Sequence, residues 1–125
     1  MNMQTGLMHS SSLVVGREQL AVTVGSGDLE VLSTPALAAL AENAAMLAVK
    51  NHLPEGATTV GGHIRLTHTK PSALGANVSA TATLVEIDGR KLTFAIEATD
   101  GIDKIAEGVH VRFVVDRQRF MSKVQ

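Results

Sequence analysis

Residues 33–54 read STPALAALAENAAMLAVKNHLP, and the architecture of the whole chain turns on them. Ser33 or Thr34 can cap a helix whose first turn holds Pro35, where the missing amide hydrogen would lack a partner anyway. Alanines and leucines carry the helix forward, Lys50 and His52 suit its negative C-terminal end, and Pro54 stops it. Between Ala36 and Val49 only Glu42 and Asn43 are polar. A helix apolar nearly all round is predicted to be buried on most sides.

Downstream the period changes to two. Val60, Gly62, Ile64, Leu66 and His68 fall on one face of a strand, and Gly61, His63, Arg65, Thr67 and Thr69 on the other. Pro71 ends it. Val78, Ala80, Ala82 and Leu84 alternate with polar residues in the next strand, and Asp88-Gly89 marks a tight hairpin turn. Leu92, Phe94, Ile96 and Ala98 continue the alternation to a second turn at Asp100-Gly101, before a strand from Ile105 to about Asp116. Upstream, Gln19–Val24 reads as a short strand closed by Gly25-Ser26-Gly27-Asp28. The segment 1–13, with a serine cluster ending at its twelfth residue, reads as a loose N-terminal arm, and 117–125, with Arg117, Arg119 and Lys123, as a solvated tail. Residues 1–125 thus form a single α+β domain, a long buried helix wrapped by a curved antiparallel five-stranded sheet. This is the hot-dog arrangement. A sheet with long exposed edges favours pairing with another copy, so a homodimer is expected.

Composition removes several function classes. The 125 residues are 45% hydrophobic and 18% charged with a net charge of −1, so no electrostatic case exists for nucleic acid or an anionic membrane. Three Phe without Trp or Tyr give no base-stacking platform for nucleic acid. The unbroken apolar runs Ala36–Ala41 and Ala44–Val49 fall far short of a membrane span. There is no cysteine, hence no disulfide or thiolate chemistry, and Met1–Leu13 lacks the Lys or Arg that starts a secretory signal. A cytoplasmic protein is expected. His9, His52, His63, His68 and His110 have no metal-ligand spacing, so no metal is expected, and no glycine-rich dinucleotide or P-loop motif is present.

Glu42 is the most anomalous residue. Its helical neighbours Ala38, Ala39, Ala45 and Met46 are apolar, and an ionised carboxylate among them costs several kcal/mol unless paired or hydrated. It is a satisfied structural carboxylate, a residue on a helix edge that meets solvent, or a general base or nucleophile lining a cleft. His68, by parity, points toward the helix and is the histidine placed to meet Glu42; His63 lies opposite, beside Arg65. Thr34 is a helix cap, or its hydroxyl and the helix N-terminal amides polarise a carbonyl. Thr34 and Glu42 are eight residues apart, about 12 Å along a helix rising ~1.5 Å per residue. His68, a substrate, an irregular helix start or a partner chain must bridge them. Gly61-Gly62 permits close approach by a ligand or second subunit. His110 and Arg112 share a strand face opposite Val109, Val111 and Phe113, read as the exposed polar face of an edge strand or a contact for an anionic ligand.

STPALAALAENAA, TTVGGHIRLTHTKPSALG and VEIDGRKLTFAIEATDGIDKIAEGVHVRFVVDRQRF together resemble the fluoroacetyl-CoA-thioesterase-like branch of the hot-dog acyl-CoA thioesterases, from about Val22 to Phe120. The resemblance implies a catalytic set of a Thr, a Glu eight residues later and a His 26 residues after it, which Thr34, Glu42 and His68 reproduce. It matches the family's glycine near the acyl group to Gly61 and its strand arginine in an H-x-R context to Arg112. It also implies subunits that build the acyl pocket between them, with Gly61 and Gly62 near that seam, and no cofactor beyond the coenzyme A of the substrate. The fluoroacetate-specific enzyme carries a long Phe-containing lid before its helix, where this chain has only GSGDLEVLS.

The reading is therefore an acyl-CoA thioesterase acting on short or medium chains, with Leu29, Leu32, Leu37 and Met46 as wall residues. Arg112, Arg65 and Lys70 are the cations expected to meet the CoA phosphates. A hot-dog enoyl-CoA hydratase or dehydratase, and a non-catalytic acyl-CoA-binding module, are the alternatives.

Overall fold

The structure, a computed structural model, describes residues 2–125. Strand β1 (Met8–Val14) leads through a 3-10 turn (Arg17–Gln19) into the short helix α1 (Ala21–Val24) and then the long helix α2 (Thr34–Val49). Four strands follow: β2 (Ala57–His68), β3 (Asn77–Asp88), β4 (Lys91–Thr99) and β5 (Lys104–Asp116), with a terminal helix α3 (Arg117–Ser122). All pairings are antiparallel, in the order β1-β3-β4-β5-β2, and α2 packs against the concave face of this one sheet.

Ser33 is the α2 cap; its side chain accepts the Ala36 amide at 3.1 Å, and Pro35 occupies the first turn. Leu37, Leu40, Ala41, Ala44, Ala45, Ala48 and Val49 are buried against Ala80, Ala82, Leu84, Phe94 and Ile96. Small residues on both surfaces let helix and sheet approach closely, and each buried leucine contributes about 1.5–3 kcal/mol by leaving water. A stripe of α2 containing Ala39 and Asn43 remains exposed in the protomer, so the helix is less completely covered than its apolarity predicts.

Four expectations are corrected. The supposed loose arm contains β1, paired with β3 from Met8↔Thr83 to Val14↔Asn77. Its sequence MHSSSLV has hydroxyls where an apolar alternation would announce a strand. Those hydroxyls bind the strand down: Ser10 meets Thr81 at 2.6 Å, Ser12 donates to Ser79 at 3.0 Å, and inward Ser11 donates to Asn43 Oδ1 at 2.7 Å. Second, Gln19–Val24 is not a strand but the end of the 3-10 turn and α1, because β1 already occupies that sheet edge and β-branched propensity without a neighbouring strand decides nothing. Third, β5 is an interior strand and β2 the edge. Fourth, β2 is bulged: Gly61 pairs with Arg112 but His63 with Val111, leaving Gly62 as the extra residue. The bulge resets the alternation, so Gly61 joins Ile64, Leu66 and His68 on the inner side. Gly62 faces the Phe113 ring on the outer side. The segment after Asp116 stays exposed but is helical, Asp116 Oδ1 accepting the Arg119 amide at 2.9 Å.

Candidate active site

Two groups of polar side chains meet α2. The first is at its N-terminus. The capped start of α2 places Thr34 beside the end of β2, and Thr34 Oγ1 lies 2.9 Å from His68 Nδ1. His68 Nε2 is buried and has no hydrogen-bond partner. Burial lowers the His68 pKa below the usual imidazole value of 6.5, partly offset by the Lys70 backbone, so the ring is neutral at pH 7. A cavity of about 260 Å³ opens here, with Val31, Leu32, Thr34, His68 and Pro71 in its wall.

The second group lies two turns further along α2. A methyl group on Gly61 would sit 3.0 Å from Glu42 Oε2, 3.3 Å from His110 Cε1 and 3.5 Å from Arg112 Nη1, so the bare glycine faces all three. Arg112 is buried and donates through Nε to Thr59 Oγ1 (2.8 Å) and through Nη2 to the Thr59 carbonyl (3.0 Å). Its Nη1 is 3.1 Å from His110 Nε2, and His110 Nδ1 is 2.7 Å from the His63 carbonyl. A carbonyl can only accept and a guanidinium can only donate. His110 is thereby fixed as a neutral ring with its proton on Nδ1. Burial lowers its pKa, with the Arg112 charge acting in the same direction, while the hydrogen bond to the His63 carbonyl and, more weakly, Glu42 oppose it. Among the described residues no group of three or more His, Asp or Glu is placed to hold a metal.

The sequence matches the profile of the fluoroacetyl-CoA-specific thioesterases over residues 15–118. The chain belongs to that family. It is 35% identical over 96 residues to the fluoroacetyl-CoA thioesterase of Streptantibioticus cattleyicolor, an alignment covering 77% of this chain and 69% of that one. A threonine-to-serine variant of the fluoroacetyl-CoA thioesterase FlK, solved with acetyl-CoA, superimposes with a TM-score of 0.92 at 29% identity over 98% of this chain and 96% of that one. A Thermus thermophilus hypothetical protein of the thioesterase superfamily gives 0.92 at 19% identity, covering 99% of this chain and 93% of its own, and carries the fold alone.

Within this thioesterase-family chain the expected site residues are only partly brought together. Thr34 and His68 touch; Glu42 stands apart with Gly61 and Arg112, and the histidine beside it is His110, not His68. The parity reading of β2 named His68 because it could not see that, within one protomer, β5 is the strand that lies next to Glu42. Arg112 is not an exposed cation on an edge strand but a buried one on an interior strand. Lys70 is also engaged, its Nζ 2.6 Å from Asp100 and 2.8 Å from Asp103. Gly62 faces away from the site. Of the expected wall residues, Leu32 lines the cavity beside His68, Leu37 is in the core, Leu29 is exposed and Met46 half-buried. Thr59 and the role of His110 were missed. The signal for His110 was the alternation Ala106, Gly108, His110, Arg112, Val114, whose apolar ends mark an inward face; Thr59 had none, since the bulge at Gly62 that turns it inward is not visible in the sequence.

Proposed function

We propose that this protein hydrolyses the thioester of short acyl-CoA substrates. The observation that carries the reading is the half-satisfied His68, held through Nδ1 by Thr34 while Nε2 stays buried and unpartnered beside a cavity. When the Thr34 hydroxyl donates to Nδ1, Nε2 carries the proton and can deliver it to a departing thiolate; in the other tautomer Nε2 can accept one. Glu42 supplies the attacking oxygen, its own or that of a water it deprotonates. The new carbon–oxygen bond forms and the carbon–sulfur bond breaks to release the thiolate; where the oxygen is Glu42's own, a water then cleaves the resulting anhydride to free acid and restores the carboxylate. The Thr34 amide receives the negative charge on the carbonyl oxygen, joined by the Thr34 hydroxyl when His68 Nδ1 carries the proton, since the Ala36 and Leu37 amides are spent on Ser33. No cofactor enters this chemistry, the cavity beside His68 suits a small acyl group, and the cysteine-free chain suits the reducing cytoplasm, where we place it.

We further propose a homodimer. Thr34 and Glu42 are about 12 Å apart along α2 at ~1.5 Å per residue, too far to act on one carbonyl. β2 is a twelve-residue edge whose outer side has no partner strand. Antiparallel pairing of two copies of β2 about a two-fold axis near Arg65 sets His68 of one opposite the Gly61-Gly62 bulge of the other. His68 would then meet Glu42 of the partner subunit, completing the site.

The test is thiol release from a panel of acyl-CoAs by wild type and Glu42→Ala, with mass measured by light scattering. Turnover by a dimer, lost in Glu42→Ala, is the expected result. No release from any acyl-CoA defeats the hydrolase reading, and a fully active monomer defeats the shared site. Loss of enoyl-CoA absorbance without thiol release selects a hydratase.

A further inference from the structure

The phosphates of the proposed substrate need cations, and the site itself has few to offer. Arg112 spends three N–H groups on Thr59 and His110, and Lys70 is neutralised by two aspartates. Free cations converge elsewhere. At the far end of β5 an open cleft of about 620 Å³ is lined by Arg90, Val115, Asp116, Arg119, Phe120 and Lys123. Among the described residues none of Arg90, Arg119 and Lys123 forms a salt bridge. The one carboxylate in the lining, Asp116, has an oxygen committed to the Arg119 amide. Phe120 is 37% exposed and presents a ring to this cleft beside the cations. An adjoining cavity of about 400 Å³ shares Arg90, Val115 and Asp116 and extends to Ala57 and Val114, the next inward residue after Arg112 on β5.

We propose that this cleft holds the phosphorylated nucleotide half of coenzyme A, with the phosphates on Arg90, Arg119 and Lys123 and the adenine against Phe120. The inference rests on the acyl-CoA reading above. Arginine and lysine without carboxylate partners are the groups that bind phosphate, and an exposed aromatic face stacks a base. Length supports it. The pantetheine arm contains two peptide-like amides and about as many backbone bonds as four extended residues, roughly 13–14 Å. Asp116 is four residues beyond Arg112 on β5, about 13 Å at ~3.3 Å per residue. A thioester seated at Gly61 and Arg112 therefore puts its nucleotide at the cleft mouth.

The experiment compares acetyl-CoA with acetyl-pantetheine, which lacks the nucleotide, and titrates free CoA calorimetrically into wild type and the double variant Arg119→Ser/Lys123→Ser. The wild type should show a lower KM for the CoA ester than for the pantetheine ester. The double variant should lose that preference, its KM for acetyl-CoA rising about tenfold with a matching loss of CoA affinity. The charge-conserving pair Arg119→Lys/Lys123→Arg should restore both, which separates charge from folding. Removal of cations outside the cleft, Arg17→Ser/Lys50→Ser, should change neither. A double variant with wild-type KM and CoA affinity overturns the cleft while leaving hydrolysis intact. If neither ester is hydrolysed by the wild type, the thioesterase reading falls, and the CoA titration still decides: binding lost in the double variant upholds the cleft, and binding unchanged or absent in the wild type overturns it.

Discussion

His68 and His110 lie on neighbouring strands, both inward, both with pKa values lowered by burial, yet they are used oppositely. His110 is fully buried with each ring nitrogen committed, Nδ1 to the His63 carbonyl and Nε2 to Arg112. His68 is half-buried with one nitrogen on Thr34 and the other on nothing. A saturated imidazole holds other groups in place. One with an unspent nitrogen beside a cavity is available for proton transfer.

The sharpest way to break this contrast is to delete each ring. His68→Ala should lower kcat/KM by roughly 10²–10⁴, the range for a general acid or base, with the melting temperature little changed. Thiol release and thermal unfolding check it. His110→Ala should instead cost about 2–4 kcal/mol of stability, because it hollows a packed site and strands a buried guanidinium and a carbonyl. Urea denaturation reads this, and a His110→Ala protein as stable as wild type would defeat the assignment.

Acidification gives a smaller, graded effect. A histidine whose folded pKa is depressed takes its proton first in the unfolded chain. The two rings therefore leave stability untouched well above pH 6.5 and erode it as pH falls below 6.5 toward their folded values. Turnover should fall in the same direction as His68 protonates, and His68→Gln should remove its share of the stability loss. A His68 ring that titrates by NMR at or above 6.5 would remove the burial argument.

The smallest effects separate the adjacent glycines. Gly61→Ala sets a methyl 3.0 Å from Glu42 Oε2 and 3.3 Å from His110, so turnover should drop several-fold as the carboxylate is displaced. Gly62→Ala meets only the Phe113 ring, at 2.5 Å, and that side chain is 39% exposed and able to swing away. Stability should change by less than about 1 kcal/mol and kcat scarcely at all. Equal losses of turnover in the two variants would show that the bulge does not divide the strand as described.

The contrast also marks how far the sequence could be read. α2, both Asp-Gly hairpins and the facing rows of β3 and β4 follow from local chemistry, because capping, turns and alternation involve only near neighbours. Thr34, Glu42 and His68 stood out as chemical groups for the same reason. Which group meets which did not follow, since strand order is non-local: β2 folds back outside β5, turning His110 and Arg112 from a surface pair into a buried one. One extra residue at Gly62 moved Gly61 to the opposite face, and a serine-rich β1 carried no apolar alternation at all.

The ionic clamp at Lys70 bears on how the loop behind the site responds to its surroundings. Lys70 follows His68 by two residues and ties the exit of β2 to the β4–β5 turn through Asp100 and Asp103. Hydrogen bonding to Lys70 holds the Asp100 carboxyl far below the ordinary aspartate value, and the same contacts raise Lys70 above the ordinary lysine value. The aspartate's contribution is present above its unfolded pKa of 3.8 and lost only in stronger acid; the lysine's is present below 10.5 and lost only in stronger base. Across the range in which the histidines titrate, the tether keeps its charges. Imidazole chemistry and loop anchorage are thus insulated from each other, and a drop in turnover on mild acidification reports a protonated ring on a loop that has not let go.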